Sequence, residues 1–272
     1  MTKTKTINKP PVLVTGGSGY IASWVIRYLL EEGFVVHATV RDLTRDHKTE
    51  MLYRLTEQFK DHLKIFKADL LEEGSFLEAM EGCKMVLHTA SPFRVQGIKN
   101  AKKELIEPAL LGTRNVLQTA NQVPSVERVV VTSSVAAIYG DNADVKRIPN
   151  KVFDETHWNI SSTKRHQPYS YSKTIAEREA WDLAKKAKNW DLVVLNPGMV
   201  LGPSLTQRSD STSIDLIISL LKGKYRMGVP NLYFGFVDVR DVCSAHIPAI
   251  DHAPVSGRLL LEKKKKSMME IV

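Results

Sequence analysis

Apolar residues in this chain gather into short runs, and stretches of helical spacing separate the runs. The runs are Val12-Leu13-Val14-Thr15, Phe34-Val35-Val36-His37-Ala38-Thr39-Val40 and residues 63–70, 84–90, 128–134 and 191–196. Most carry no polar alternation, which predicts strands buried on both faces and therefore a parallel sheet. Residues 24–30, 51–59, 74–80, 101–121 and 169–188 read as helices, the fourth of them despite Pro108 and Gly112. Strands alternating with helices, joined by right-handed crossovers, predict a doubly wound α/β sheet. Its ligand crevice would lie at the carboxyl ends of the strands. Gly16, Arg41, Asp69, Thr89 and Ser134 all fall at such ends. Residues 1–199, rejoined by 236–250, are expected to form this Rossmann domain. Residues 200–235 and 251–272 would form a smaller substrate lobe.

The first strand runs into Gly16-Gly17-Ser18-Gly19-Tyr20-Ile21-Ala22 and then a helix. A strand, a tight glycine turn and a helix aim free backbone N–H groups and a positive dipole end at one point, which suits a pyrophosphate. Gly16 would make the sharp turn and Gly19 would let the backbone approach the phosphates. Ala22 stands at the close helix–strand contact. Where a preference for NAD would place an acid at the end of the second strand, this chain has Val40-Arg41. The planar guanidinium of Arg41 matches a 2′-phosphate, with Lys48 as a second charge, so NADP(H) is the expected cofactor. Asp42 is the competing carboxylate, one residue of register away.

Pro168-Tyr169-Ser170-Tyr171-Ser172-Lys173 opens a helix. Tyr169 and Lys173 are four apart and share a face, whereas Tyr171 points elsewhere. A nearby ammonium favours phenolate and is expected to bring the Tyr169 pKa down toward a useful acid. Ser134, at the end of the fifth strand, could hydrogen-bond the same substrate oxygen.

Length and composition fit this reading. The chain has 272 residues, 43% hydrophobic and 25% charged, and a net charge of +8. Half of that excess is the run Lys263-Lys264-Lys265-Lys266, expected to be a solvated turn, and no nucleic-acid motif accompanies it. No nucleic-acid partner is therefore expected. The chain lacks an apolar run of membrane-spanning length and its N-terminus lacks a signal-peptide core, so a cytoplasmic protein with no membrane partner is expected. Cys83 and Cys243 read as buried thiols in a reducing compartment. Neither the cysteines nor His157, His166, His246 and His252 show ligand spacing, so no metal is expected. Trp158 and Phe93 could line a substrate pocket or belong to the core.

The motifs together resemble the extended short-chain dehydrogenases/reductases, closest to their dihydroflavonol reductase, cinnamoyl-CoA reductase and microbial aldehyde (ketone) reductase group. The matching stretches begin with residues 14–24, Ala38-Thr39-Val40-Arg41-Asp42, Ala68-Asp69-Leu70 and His88-Thr89-Ala90-Ser91-Pro92. They continue through residues 112–117, Val131-Thr132-Ser133-Ser134, residues 169–173, Asn196-Pro197-Gly198 with Gly202-Pro203, and residues 236–242. The resemblance implies that Tyr169 is the general acid and that Lys173 binds the nicotinamide ribose and lowers the Tyr pKa. Ser134 would hold the substrate oxygen, with Ser133 in its place should the register differ by one. It also implies 2′-phosphate contacts at Arg41 and Lys48, adenine contacts at Asp69 and Leu70, and ribose and phosphate contacts at Thr89 and Ala90. Pro197 and its neighbours would wall the nicotinamide, and Tyr20, Ile21, Ser91 and Val200 complete the implied cofactor set. Tyr139 occupies a pocket position where flavonoid-reducing members carry a residue suited to a polyphenol, which argues against a dihydroflavonol substrate. Family members run some tens of residues further, so the substrate lobe is expected to be incomplete.

The activity so implied is NADPH-dependent reduction of an aldehyde or ketone to an alcohol, by a monomer or homodimer. Two alternatives are an NAD-retaining nucleotide-sugar epimerase or dehydratase, and a non-enzymatic NADP-binding regulator on the same fold. The complete Ser134, Tyr169 and Lys173 set speaks against the regulator.

Overall fold

The structure, a computed structural model, describes residues 9–91, 98–206, 218–219, 222–223, 228, 233–251, 254–267 and 270. Phe93 and His252 lie outside the described residues. The elements follow the hydrophobic runs closely. In chain order they begin with β1 (Val12–Thr15), α1 (Tyr20–Glu31), β2 (Val36–Val40), α2 (Glu50–Gln58), β3 (Leu63–Lys67), α3 (Leu77–Met80) and β4 (Met85–His88). Next come α4 (Glu107–Gln122), β5 (Arg128–Thr132), α5 (Pro168–Ala184), β6 (Asp191–Pro197), β7 (Met199–Leu201) and β8 (Tyr233–Asp238). The helix Val239–Asp251, here α6, precedes β9 (Gly257–Leu261) and β10 (Lys264–Ser267).

Seven strands form one sheet in the order β3-β2-β1-β4-β5-β6-β9, and every pairing in it is parallel. β1, β2, β4 and β5 are buried along their whole length, as unbroken apolar runs between two helical layers must be. One core, with Val14, Ile26, Leu29, Phe34 and Leu87, lies on the face covered by α1 and α6. The other, with Leu13, Phe76, Val116, Val129 and Val194, lies under α3, α4 and α5. The strand order reverses between β1 and β4, so a crevice opens at the carboxyl ends of those two parallel strands.

Three sequence expectations change. Residues 257–261, assigned to the lobe, are the seventh strand of the main sheet, since β9 lies along β6 with Leu259 opposite Leu195. A half-buried apolar strand finds its partner at the open β6 edge. The lysine run is not a turn: Lys264 to Ser267 pair antiparallel with β8, which in turn pairs with β7 in a second, three-stranded sheet. Lys264 and Lys265, which point to opposite faces of the strand, both stay exposed. The long helix begins with a π-helical turn over Lys102–Ile106, just before Pro108. Gly112, inside α4, lets Leu70 come close: a Cβ there would sit 2.9 Å from the Leu70 Cβ.

Candidate active site

The glycine turn is built by its backbone. Gly16 has φ +69°, and a Cβ on it would meet the Ala90 Cβ at 3.0 Å. Glycine is the residue that takes this conformation without strain while packing directly on β4's exit. Gly17 N–H donates to the Thr39 carbonyl (2.8 Å) and Gly19 N–H to the Gly16 carbonyl (2.8 Å). A Cβ on Gly19 would lie 3.0 Å from that same carbonyl, so its bareness serves the turn itself. Gly19 is the N-cap of α1, whose first-turn amides have no intrahelical partner.

β1 and β4 are tied at this point. The Thr15 hydroxyl and His88 Nδ1 are 2.9 Å apart, Ala90 N–H donates to the Thr15 Oγ1 (3.1 Å), and the Thr89 hydroxyl donates to the Thr15 carbonyl (2.5 Å). Thr89 and Ala90 thus reach the rim of the crevice, and Ser91 lines a small cavity behind it. Burial, with the Lys173 charge beside it, pushes His88 down to about 3. His88 is therefore a neutral ring and not a proton carrier near neutral pH.

Arg41 leaves the end of β2 exposed, with no carboxylate partner among the described residues. Asp42 is turned away from it: its Oδ1 accepts from Thr44 N–H (2.9 Å) and the Thr44 hydroxyl (2.7 Å). Those hydrogen bonds hold the Asp42 carboxyl below its usual range. Lys48 is exposed in the turn before α2, while Arg45 is taken up by Glu50 and Glu57. Asp69 caps its own turn, accepting from Leu71 N–H (2.8 Å). Leu70 is half-buried on Gly112.

Other members of the expected set also make contacts within the fold. The Tyr20 hydroxyl donates to the Gly202 carbonyl (2.8 Å), and Trp24 Nε1–H to the Pro203 carbonyl (2.8 Å). Tyr20 therefore joins α1 to the turn after β7, and burial raises its pKa. The backbone carbonyl of Ile21 faces Cys243 of α6. Pro197 ends β6, while Val200 is buried in the core with Val237 and Val239.

Ser134 and Tyr169 are brought together, and Lys173 lies one helical turn beyond Tyr169. Ser134 follows β5 and caps a short 3-10 turn, its Oγ accepting from Ala136 N–H (3.2 Å). Pro168 opens α5 after Gln167, which is left-handed at φ 52°, and its ring suits a first helical turn. The Tyr169 side chain hydrogen-bonds Ser134. Burial pushes the Tyr169 phenol up and the Ser134 bond offsets only part of this, so the expected downward shift by Lys173 is not what dominates here. Tyr169 is held as a protonated phenol. One turn further, Lys173 is buried, and desolvation lowers it to about 8, with the Glu177 charge opposing.

Glu177 and Arg258 were not legible as site residues. Glu177 stands four residues after Lys173, so helical spacing alone puts both on one face. Its carboxylate is fully buried and ion-paired to Arg258 Nε at 2.6 Å. Trp158, with Arg258 over its ring at 4.0 Å and Arg178 at 5.0 Å, belongs to this group. Tyr139 stacks on Phe153 with centroids 5.1 Å apart, and burial raises its phenol to about 12. Among the described residues no group of His, Cys, Asp and Glu could hold a metal ion, and no helix is long and apolar enough to cross a membrane.

A parallel sheet with a glycine turn at its switch point, and a Ser–Tyr–Lys group beside it, define the Rossmann-type α/β oxidoreductases. The chain belongs to the NAD dependent epimerase/dehydratase family, which it matches over residues 12–259. It is 44% identical over 263 residues to cinnamoyl-CoA reductase CAD2 of Medicago truncatula, covering 96% of this chain and 78% of that one. It is 40% identical over 267 residues to tetraketide alpha-pyrone reductase 1 of Arabidopsis thaliana, covering 97% and 79%. Among solved structures it is similar to yeast methylglyoxal/isovaleraldehyde reductase Gre2 complexed with NADPH. That match has a TM-score of 0.82 and 28% identity, and covers 96% of this chain and 80% of that one.

Proposed function

We propose that the protein is an NADPH-dependent carbonyl reductase that converts an aldehyde or ketone to an alcohol. The observation that carries this is the Ser134–Tyr169 hydrogen bond with buried Lys173 one helical turn away, beside the β1–β4 crevice. The crevice fits a dinucleotide: Gly16 leaves it bare of a side chain, and the first-turn amides of α1 open onto it. Arg41, without a carboxylate partner among the described residues, and Asp42, turned into its own loop, favour the 2′-phosphate form. NADPH, when bound, supplies the hydride. Gly16, Gly19 and the amides of Tyr20 and Ile21 would hold its pyrophosphate, Arg41 and Lys48 its 2′-phosphate, Asp69 and Leu70 its adenine. Thr89, Ala90 and Ser91 would flank its ribose and phosphates, and Pro197 its nicotinamide.

The chain's own chemistry is proton donation. Ser134 Oγ–H positions the substrate carbonyl oxygen, and the Tyr169 O–H gives it a proton as negative charge develops there. Burial alone makes Tyr169 a reluctant acid, so the adjacent Lys173 ammonium is what stabilises the phenolate left behind. A screen of NADPH oxidation over aldehydes, ketones and hydroxycinnamoyl thioesters tests the proposal, and no turnover of any carbonyl would refute it.

Two expected outcomes follow from the geometry. Arg41→Ala raises the KM for NADPH about 10-fold or more with little change for NADH, the loss of one charge-assisted contact of about 1.5–3 kcal/mol. Equal effects on the two cofactors would assign Arg41 another role. Because Lys173 titrates at about 8, kcat/KM for carbonyl reduction falls as pH rises through that value. The ammonium is present below it and lost above it. A pH series from 6 to 10 reads the limb, and a flat profile would remove the charge from the mechanism.

A further inference from the structure

The buried carboxylate of Glu177, on α5, ties together residues of β6, β9 and the end of β5. Its Oε2 accepts from the Ser133 hydroxyl (2.5 Å) and Asn196 Nδ2–H (2.8 Å), and its Oε1 from Arg258 Nε–H (2.6 Å). The same Asn196 amide donates to the Ser134 carbonyl at 3.1 Å. Arg258 also donates to the Glu155 carbonyl (2.8 Å) and the His157 carbonyl, and lies over Trp158. Side chains of the pair are 0% and 7% exposed, so neither charge is screened by water. Ser133 directly precedes the hydroxyl that bonds Tyr169. Glu177 and Lys173 face the same small cavity of about 20 Å³, together with Ser133 and His88.

We propose that Glu177 and Arg258 are a positioning pair for the reaction: the carboxylate fixes the Ser133–Ser134 strand end, and the balance of the two charges sets how strongly Lys173 is held as an ammonium. This deepens the carbonyl-reductase reading and rests on it. Other groups facing Lys173 leave that balance to the pair. β4 brings His88, which is neutral, and α5 itself brings Tyr169, a protonated phenol, besides Glu177. Among the described residues lining the cavity, α4 and the β5 end bring the uncharged hydroxyls of Thr113, Thr132 and Ser133. β9 contributes Arg258 through Glu177.

A purely structural ion pair and a positioning pair predict different signs. Both Glu177→Gln and Arg258→Met break the same pair, so a structural role moves both variants alike. A positioning role moves them apart. Glu177→Gln leaves a cation behind Lys173 and lowers its titration midpoint by about one pH unit, a tenfold change in the ammonium-to-amine ratio. Arg258→Met leaves an anion and raises the midpoint. Arg258→Lys keeps the charge and restores the wild-type value. Glu177→Gln with Arg258→Met removes both charges, the change a buried pair tolerates best, and its midpoint falls between those of the single variants.

Two readouts are taken on the full chain. The first is the alkaline limb of kcat/KM for carbonyl reduction. The second needs no turnover: the 13Cε resonance of Lys173 in protein labelled at lysine Cε, assigned by its absence in Lys173→Arg, followed from pH 6 to 11. Opposite shifts of the two single variants support the pair's role. Shifts of the same sign, or none, overturn it. If the wild type turns over no carbonyl, the reductase reading fails, while the resonance still decides the charge balance at Lys173.

Discussion

Tyr169→Phe lowers kcat/KM for carbonyl reduction by about 10²–10⁴, the range expected when a positioned general acid is lost. The substitution removes one oxygen and keeps the ring, so packing at the start of α5 persists and the protein folds. The Ser134 hydroxyl loses its partner on the phenol but keeps its bond from Ala136 N–H. NADPH affinity, read by fluorescence titration, stays within about threefold, because phosphate recognition rests on the glycine turn and its amides and not on this phenol. Steady-state NADPH oxidation with the best aldehyde of the screen measures the loss. A variant retaining near-full rate would mean that the proton comes from elsewhere and that the hydrogen-bonded hydroxyl pair is incidental.

Gly16→Val has the second large effect, and it falls on binding. Its φ of +69° is strained for any residue with a Cβ, and here the Cβ would meet Ala90 at 3.0 Å. A β-branched side chain in this backbone conformation costs about 1–3 kcal/mol before any contact is counted. Branch atoms would then project into the crevice at the carboxyl ends of β1 and β4. NADPH Kd is expected to rise by about 100-fold or more, since each 1.4 kcal/mol is about tenfold. Thermal unfolding separates the backbone cost from the lost site: Tm falls by several degrees and NADPH no longer raises it. Restored Tm gain on adding NADPH would show that the dinucleotide lies elsewhere.

The cofactor side of the site was read most readily because its signals are local. A bare turn between a strand and a helix needs only neighbours in sequence, and Tyr169 with Lys173 needs only the helical period. What the residues around these groups do was harder to see. The sequence offered Asp42 as a competitor to Arg41, and the structure turns that carboxylate onto Thr44 in an Asx-type turn. The pKa of Tyr169 was expected to fall on account of a neighbouring charge, yet burial dominates it. Desolvation depends on everything packed around a group, and no spacing rule reports that.

The order and type of the elements, the parallel sheet and the shared helix face of Tyr169 and Lys173 were written in the chain's own periodicity. Apolar runs and helical spacing act over a few residues and survive wherever the segment is placed. Long-range pairing was not so written. β9 completes the main sheet, the lysine run becomes a strand beside β8, and Arg258 meets Glu177 across 81 positions of sequence. Each of those outcomes depends on which strand edge or buried charge was left without a partner once the core had closed, and that is a property of the folded chain alone.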